Sequence, residues 1–256
     1  MEITYAELTD KGARREENQD SLFCAEGDGT GLFAVADGMG GHSDGAYASN
    51  AVTEAVARWW KKHGDATALI EGSFLHTDSI KDALSEVNDR IRESVPQGTL
   101  CGSTAVVLWI EERAFSVLSC GDSRCYISRK KTFSTDFACL TTDDVWENDA
   151  DKTDGLESEE ILTHKNYGKL MRAIGTEKRF SCSVVSDELA DGTAFLLCSD
   201  GVYKYADMDE IEKIMKKACR RSTDLSECVE RIRELTFMAG APDNLSAVIV
   251  RVTGKK

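Results

Sequence analysis

Four aspartates of this 256-residue chain share one sequence context, at an end of an apolar run and beside a glycine or an asparagine. They are Asp37 after LFAVA, Asp122 after FSVLSCG, Asp200 after FLLCS, and Asp243 in APDN before LSAVIV. A carboxylate beside a buried strand is costly unless it is paired, hydrogen-bonded or bound to a cation. No matching set of four basic residues adjoins them, so bound cations are one chemistry that accounts for all four.

Asp20, in NQDSLF, is a fifth aspartate at the boundary of a strand-like run. Ligands that are all oxygen suit Mg²⁺ or Mn²⁺ rather than zinc. Gly38 follows Asp37 directly and, without a side chain, can turn its carbonyl toward the same ion. Each aspartate alone also fits a turn or a helix cap. Five in one context favour a convergent carboxylate cluster.

Two such ions would ionise a bridging water and hold a phosphoryl oxygen, which is the chemistry of a two-metal phosphoester hydrolase. The substrate phosphate would then need a cation of its own. Arg15, in RREENQD and five residues before Asp20, can bind phosphate through two parallel hydrogen bonds. A surface arginine without that role is the alternative.

The elements that must position these residues come in blocks. Short strand-like runs open the chain, two amphipathic helices follow, a second block of strands comes next, and two more helices precede a last strand. The pattern predicts helices over Ala46–His63, Ser79–Val95, Met208–Cys219 and Leu225–Met238. This is not the alternation of a doubly wound sheet. It predicts an α+β fold of two packed antiparallel β-sheets flanked by antiparallel helix pairs, an αββα sandwich.

Composition excludes several function classes. The net charge of −14 argues against a nucleic-acid partner, because phosphate backbones attract Lys and Arg. No signal peptide or membrane-spanning run is recognisable, so a cytoplasmic location with no membrane partner is expected. The nine cysteines form no C-x-x-C pair, which predicts reduced, mostly buried thiols.

A polar segment from Thr141 to about Lys169 interrupts the strands. Its first part, TTDDVWENDADKTDGLESEE, is too polar to pack and too long for a simple turn, and it predicts a mobile, solvated flap. Asp149, Asp151 and Glu160 have the spacing of the first, third and twelfth ligands of a calcium-binding EF-hand loop. The glycine that this loop needs is one place late, at Gly155, so the flap is favoured.

Taken in order, the motifs resemble the metal-dependent serine/threonine protein phosphatases of the PP2C (PPM) family, especially its bacterial branch. The resemblance covers almost the whole chain as a single domain, 1–256, with the flap-like insertion at 141–169. It rests on seven blocks: RREENQD (14–20), VADGMGGH (35–42), CGSTA (101–105), CGDSR (120–124), LMRAIG (170–175), LLCSDG (196–201) and PDNLS (242–246). The family's fold is a pair of antiparallel sheets flanked by helix pairs.

The resemblance also implies roles for individual residues. Asp37 would bridge two Mg²⁺ or Mn²⁺ ions, with the Gly38 carbonyl on one of them and with Asp200 and Asp243 completing the other. Asp20 would act through metal-bound water, and Arg15 would hold the phosphate. Asp122 and Asp200 would hold the third, weaker ion found in many members. Catalysis would be direct attack of metal-activated water on phosphoserine or phosphothreonine, with no phosphoenzyme.

Two departures from the family pattern concern this site. Gln19 stands where many relatives have a glutamate, which implies a modest loss of metal affinity. Met39 takes the place of the histidine found in many eukaryotic members, and His42 comes three residues later. His42 is therefore a candidate general acid, with a substrate contact or a structural role left open.

Partners implied by the resemblance are phosphorylated proteins and a cognate Ser/Thr kinase with its substrates, and the expected state is a monomer. Two alternatives stay open. One is a catalytically inactive relative that binds phosphoproteins. The other is a serine ester hydrolase using Ser43, because GHSDG fits G-x-S-x-G, although the only late histidine is His164.

Overall fold

Two antiparallel β-sheets pack face to face in the computed structural model, which describes residues 1–41, 43–64, 73–96, 98–131 and 134–254. All pairings between the described strands are antiparallel. The predicted fold class is therefore confirmed. It follows from strands that come in blocks and are joined without the crossover helices that parallel pairing needs.

The first sheet has five strands in the order β1-β11-β10-β7-β8. In that order they are β1 (Glu2–Asp10), β11 (Leu245–Thr253), β10 (Thr193–Cys198), β7 (Arg124–Lys130) and β8 (Thr135–Cys139). The second sheet has the order β2-β3-β5-β6-β9, with β4 paired to the end of β3. Its strands are β2 (Asp20–Gly27), β3 (Thr30–Gly40), β4 (Cys101–Ser103), β5 (Ala105–Glu111), β6 (Ala114–Cys120) and β9 (Ser183–Glu188).

The core between the sheets is built from side chains of both inner faces. Phe33, Phe115, Phe195 and Val250 are fully buried there, and the rings of Phe115 and Phe195 meet edge to face with centroids 4.8 Å apart. The outer faces of the central strands are buried by helices, so all nine residues of β11 are buried. Strands buried on both faces explain the continuous apolar runs in the sequence.

Two helix pairs cover the outer faces. α1 (Ser43–His63) and α2 (Ser73–Ser94) lie on the second sheet, and α6 (Met208–Ala218) and α7 (Leu225–Met238) lie on the first. The bounds of α7 match the prediction, and α6 ends one residue early. α1 and α2 begin earlier than predicted because the apolar spacing marks only the turns that face the sheet. No described helix combines the length and the apolar character needed to cross a bilayer.

The polar segment 141–169 is more ordered than the sequence predicts. It contains a 3₁₀ turn (Trp146–Asn148) and two short helices, α3 (Ala150–Thr153) and α4 (Ser158–Thr163). Trp146 is only 5% exposed and stacks on the ring of His164, with centroids 3.9 Å apart. The expectation that the segment is too polar to pack is therefore wrong at Trp146. The mostly polar composition of the segment hides this one buried side chain.

The carboxylates of the EF-hand alternative serve as helix caps. The Asp149 side chain accepts a hydrogen bond from the Asp151 backbone N–H at 3.1 Å, which caps α3. The Glu160 side chain accepts one from the Glu157 backbone N–H at 2.9 Å in the capping box of α4. These side chains start helices, so the geometry does not support a calcium loop.

Candidate metal centre

Asp20 and Asp37 are direct partners in the pairing of β2 with β3. Side chains of directly opposed residues in an antiparallel pair lie on the same face, so the two carboxylates are neighbours. The sequence predicts Asp37 at the end of its strand, but β3 continues past it to Gly40. β3 pairs with β5 as far as Val35 and then with β4 from Gly38 onward. Asp37 lies between these pairings, where the sheet opens.

The environment of this pair disfavours two negative charges. Burial raises the pKa of Asp37 well above its usual range, and the charges of Asp20 and Asp200 raise it further. Burial also raises the pKa of Asp20 to about 6. One oxygen of Asp20, Oδ2, accepts a hydrogen bond from the Ser199 hydroxyl at 2.7 Å, whereas Oδ1 is buried with no hydrogen-bond partner. A buried carboxylate oxygen without a partner needs a proton or a cation.

Asp200 and Asp122 lie on the other side of the cluster, and one lysine contacts both. Asp200 is the first residue of α5 (Asp200–Tyr203), which follows β10, and Asp122 lies between β6 and β7. The ammonium of Lys204 is 2.6 Å from Oδ2 of Asp200 and 3.2 Å from Oδ2 of Asp122. Burial and the charge of Asp200 raise the pKa of Asp122, which Lys204 lowers in turn.

Asp243 contacts Arg15 at the exposed rim. The Arg15 guanidinium is 2.7 Å from Oδ2 of Asp243, with the two side chains 53% and 25% exposed. Oδ1 of Asp243 accepts a hydrogen bond from the Asn244 backbone N–H at 2.9 Å. The phosphate-binding candidate of the sequence therefore lies beside one of the metal-ligand candidates.

Asn244 explains why the RREENQD loop reaches this rim. Its side-chain oxygen accepts a hydrogen bond from the Gln19 backbone N–H at 2.9 Å, and its amide donates to the carbonyls of Lys11 and Glu17. A buried amide with all three contacts satisfied holds the loop against the start of β11. Sequence reasoning did not give Asn244 a role, although it stands in the PDN motif.

Two glycines allow the backbone segments of the site to approach each other. A Cβ at Gly38 would lie 2.0 Å from the carbonyl oxygen of Gly45 in α1, and a Cβ at Gly201 would lie 1.8 Å from that of Asn244. Neither distance is possible for a real side chain. Gly38 thus lets α1 approach β3, which carries Asp37, and Gly201 lets α5 approach Asn244, the residue after Asp243.

The backbone of Asp37 is held by a second layer of polar groups. Its N–H donates to the Thr104 hydroxyl at 2.9 Å, and its carbonyl accepts from the Thr104 N–H at 2.8 Å and the Ser103 hydroxyl at 3.0 Å. The hydroxyls of Thr104 and Ser123 are 2.7 Å apart. The CGSTA and CGDSR blocks thus support Asp37 together.

The structure therefore brings together Arg15 and the five predicted aspartates. The charges of Asp200 and Asp243 raise the pKa values of Arg15, Asp20 and Asp37, and the charge of Asp122 also raises that of Asp37. His42, the candidate general acid, lies outside the described residues. Three residues that sequence reasoning missed are Ser199, Lys204 and Asn244. The spacing of Asp200 and Lys204, four residues apart at a helix start, is the signal that could have found the lysine.

Within the described residues, no three His, Cys, Asp or Glu side chains lie close enough to hold an ion by themselves. Arg15 and Lys204 are instead paired with the outer carboxylates. An ion here would need water and backbone oxygens to complete its shell, which is how Mg²⁺ is commonly bound. The buried, unpartnered Oδ1 of Asp20 and the all-oxygen donor set fit such an ion.

Comparison with known proteins identifies the family of this chain. A family model described as Protein phosphatase 2C matches residues 11–235. The serine/threonine phosphatase stp of Listeria welshimeri is 28% identical over 246 residues, which cover 94% of this chain and 93% of that protein. The serine/threonine protein phosphatase PstP of Mycobacterium tuberculosis is 28% identical over 252 residues. That alignment covers 98% of this chain but only 45% of PstP.

Solved structures show the same fold. The crystal structure of Mycobacterium tuberculosis PstP superposes with a TM-score of 0.78 at 25% identity, covering 98% of this chain and 99% of that one. A second structure, of the PstP catalytic domain in complex with two manganese ions, has a TM-score of 0.76 at 24% identity, with the same coverage. The likeness at this identity concerns the fold.

Proposed function

This chain belongs to the protein phosphatase 2C family, and from that membership we propose that it hydrolyses phosphoserine and phosphothreonine esters of proteins at a dinuclear Mg²⁺ or Mn²⁺ centre. The observation that carries the proposal is the Asp20–Asp37 pair, with its raised pKa values and its unpartnered buried oxygen. The two manganese ions in the PstP catalytic domain support the choice of metal.

The residues that would hold the two ions are Asp37, the Gly38 carbonyl, Asp200 and Asp243, and Asp20 would act through water. When bound, such a pair lowers the pKa of a water molecule and neutralises charge on a phosphoryl oxygen. The other residues of the site would bind the phosphate, position the metal ligands or transfer a proton.

Arg15 would bind the phosphate and orient it toward the centre. Its contact with Asp243 at 2.7 Å keeps the guanidinium at the rim before substrate arrives. A guanidinium can donate two parallel hydrogen bonds to phosphate. Because the side chain is already held in place, less conformational entropy is lost when phosphate binds. His42 stays the candidate for protonating the leaving serine or threonine oxygen.

Positioning groups complete the proposal. Ser199 fixes one oxygen of Asp20 by its 2.7 Å hydrogen bond, so the other oxygen keeps a single direction. Thr104 holds the backbone of Asp37 from both sides. Hydrogen-bonded supports of this kind keep ligands in place and tune their basicity.

The substrates we propose are phosphorylated proteins, with a cognate Ser/Thr kinase acting on the same set, and the active form we propose is a monomer of one domain. The relatives named as serine/threonine phosphatases support the substrate class. We also propose a cytoplasmic location. All nine cysteines are free, which suits a reducing compartment.

The test is hydrolysis of para-nitrophenyl phosphate and of a phosphothreonine peptide by the purified chain, with Mn²⁺ and then with excess EDTA. We expect turnover that requires Mn²⁺, disappears with EDTA and returns when Mn²⁺ is restored. Absence of turnover with Mn²⁺, Mg²⁺ or any other divalent ion would contradict the proposal and favour the inactive phosphoprotein-binding alternative.

The serine ester hydrolase alternative has no support in the fold. The G-x-S-x-G arrangement belongs at a strand-to-helix turn of a parallel α/β sheet, whereas the described strands pair only antiparallel. His164, the late histidine that it needs, is stacked on Trp146 in the 141–169 segment. Acyl ester hydrolysis is therefore not proposed.

A further inference from the structure

Lys204 lies between Asp122 and Asp200, the two residues to which the family resemblance assigns a third divalent ion. Its ammonium is within hydrogen-bond distance of Oδ2 of both carboxylates, at 3.2 and 2.6 Å. The two carboxylates therefore already share one positive charge supplied by the chain. The predicted third-ion site does not fit the residues present, because its two ligands are paired with a lysine.

The lysine is held in this place by the local fold. Its backbone N–H donates to the Asp200 carbonyl at 3.0 Å, which fixes the spacing of the two residues around α5. The neighbouring Tyr203 hydroxyl donates to the Asp122 carbonyl at 3.0 Å and ties α5 to the loop that carries Asp122. The Arg124 guanidinium carbon lies over the Tyr203 ring, 3.7 Å from its centroid.

Charge and space then oppose another cation. A divalent ion on Asp122 and Asp200 would displace Lys204 from their Oδ2 oxygens or lie close to its like charge in a partly buried site. The lysine side chain is 43% exposed. Moving it away from this place would break both of its ion pairs. Lys204 contacts Oδ2 of Asp200, which leaves Oδ1 for a core ion.

We propose that the Lys204 ammonium takes the place of a third divalent cation, so that this chain binds two ions and not three. The inference rests on the proposed dinuclear centre and adds a positioning role to it. Lys204 neutralises Asp122 and holds Oδ2 of Asp200. The other oxygen of Asp200, Oδ1, is then left to bind a core ion.

The experiment counts bound Mn²⁺ per chain by equilibrium dialysis with metal analysis, over a range of free Mn²⁺. Wild type is compared with Lys204→Met, Lys204→Arg and the control Lys213→Met, which removes an exposed lysine paired with Glu210 on α6. We expect Lys204→Met to bind one more ion than wild type, at least about tenfold more tightly than any further site of wild type. Lys204→Arg and Lys213→Met should match wild type, because the first keeps the charge and the second lies elsewhere.

A second variant locates the additional ion. In the Lys204→Met background, Asp122→Asn should remove that ion and return the count to the wild-type value, with folding checked by circular dichroism. Equal counts for wild type and Lys204→Met would overturn the inference whatever the absolute number, as would three ions in wild type. A wild type that binds no Mn²⁺ and hydrolyses nothing would overturn the proposed function instead, and the inference with it.

Discussion

Asp20 and Asp37 face each other across the β2–β3 pair as direct register partners, and one oxygen of Asp20 is buried without a hydrogen bond. Like charges directly opposite on a sheet destabilise it, and burial increases the cost. The fold therefore places two carboxylates where they are stable only if protonated or bound to cations. Metal binding should therefore have a measurable effect on the free energy of unfolding, because it offsets the repulsion and burial of these charges.

The metal-free chain should lose stability as pH rises through about 6. The pKa of Asp20 is raised to about 6 by burial, against an ordinary value of about 3.9 when unfolded. Between these values the folded state binds more protons than the unfolded state, so the free energy of unfolding falls with rising pH. The part of this loss that is due to Asp20 should be about 2–3 kcal/mol and complete above pH 6 to 7, measured by urea unfolding in EDTA.

Asp20→Asn isolates this effect from other titrating groups. The amide keeps the shape and can still accept the Ser199 hydrogen bond, so the variant should match wild type near pH 4 and be more stable than wild type at pH 7. Saturating Mn²⁺ should stabilise wild type at pH 7 by about 3 kcal/mol at a hundredfold excess over its dissociation constant. Parallel pH profiles for wild type and variant in EDTA would contradict the assignment.

Asp37→Asn and Asp200→Asn should each abolish turnover while the fold stays intact. An amide lacks the negative charge with which each carboxylate would neutralise a bound cation, so each variant should fall at least about a hundredfold in kcat/KM with para-nitrophenyl phosphate and Mn²⁺. Glu54→Gln, on the exposed face of α1, is the matched control and should keep the wild-type rate. A rate near normal in either aspartate variant would remove that residue from the metal centre.

Arg15→Ala should raise KM more than it lowers kcat. The guanidinium is expected to bind the phosphate in the ground state, and hydrogen bonds between charged groups are worth about 1.5–3 kcal/mol, or roughly ten- to a hundredfold in KM. Arg15→Lys should recover only part of this, because an ammonium cannot make the two parallel hydrogen bonds. Steady-state kinetics with a phosphothreonine peptide decide it, and an unchanged KM would exclude Arg15 from phosphate binding.

Gly38→Ala should destabilise the fold although the change is one methyl group. The added Cβ would lie 2.0 Å from the Gly45 carbonyl oxygen, so α1 must move away from β3. Overpacking of this kind costs about 1–3 kcal/mol or more. Gly41→Ala is the control, because a Cβ at that position meets nothing within 4 Å. Thermal unfolding of both variants should separate them, and equal melting temperatures would disprove the close approach.

Much of the architecture could be predicted from local patterns. Apolar spacing identified α7 to the residue and the helix pairs in order, since the buried stripe of a helix is written in sequence every three to four residues. Strands in blocks predicted antiparallel sheets. β8 was missed, because at an edge it is mostly exposed and has no apolar alternation to read. The short helices of 141–169 were missed because capping side chains, rather than apolar residues, define them.

The chemistry of the site divides in the same way. Residue types alone determined that a cluster of aspartates favours Mg²⁺ or Mn²⁺, since ligand hardness belongs to the side chain itself. Only the tertiary structure decided that Asp20 and Asp37 are opposed in register, that Asn244 holds the RREENQD loop, and that Lys204 pairs with Asp122 across 82 residues of chain. Such relationships depend on which distant strands pair and how closely backbones approach, and both are settled by packing of the whole chain rather than by any one segment.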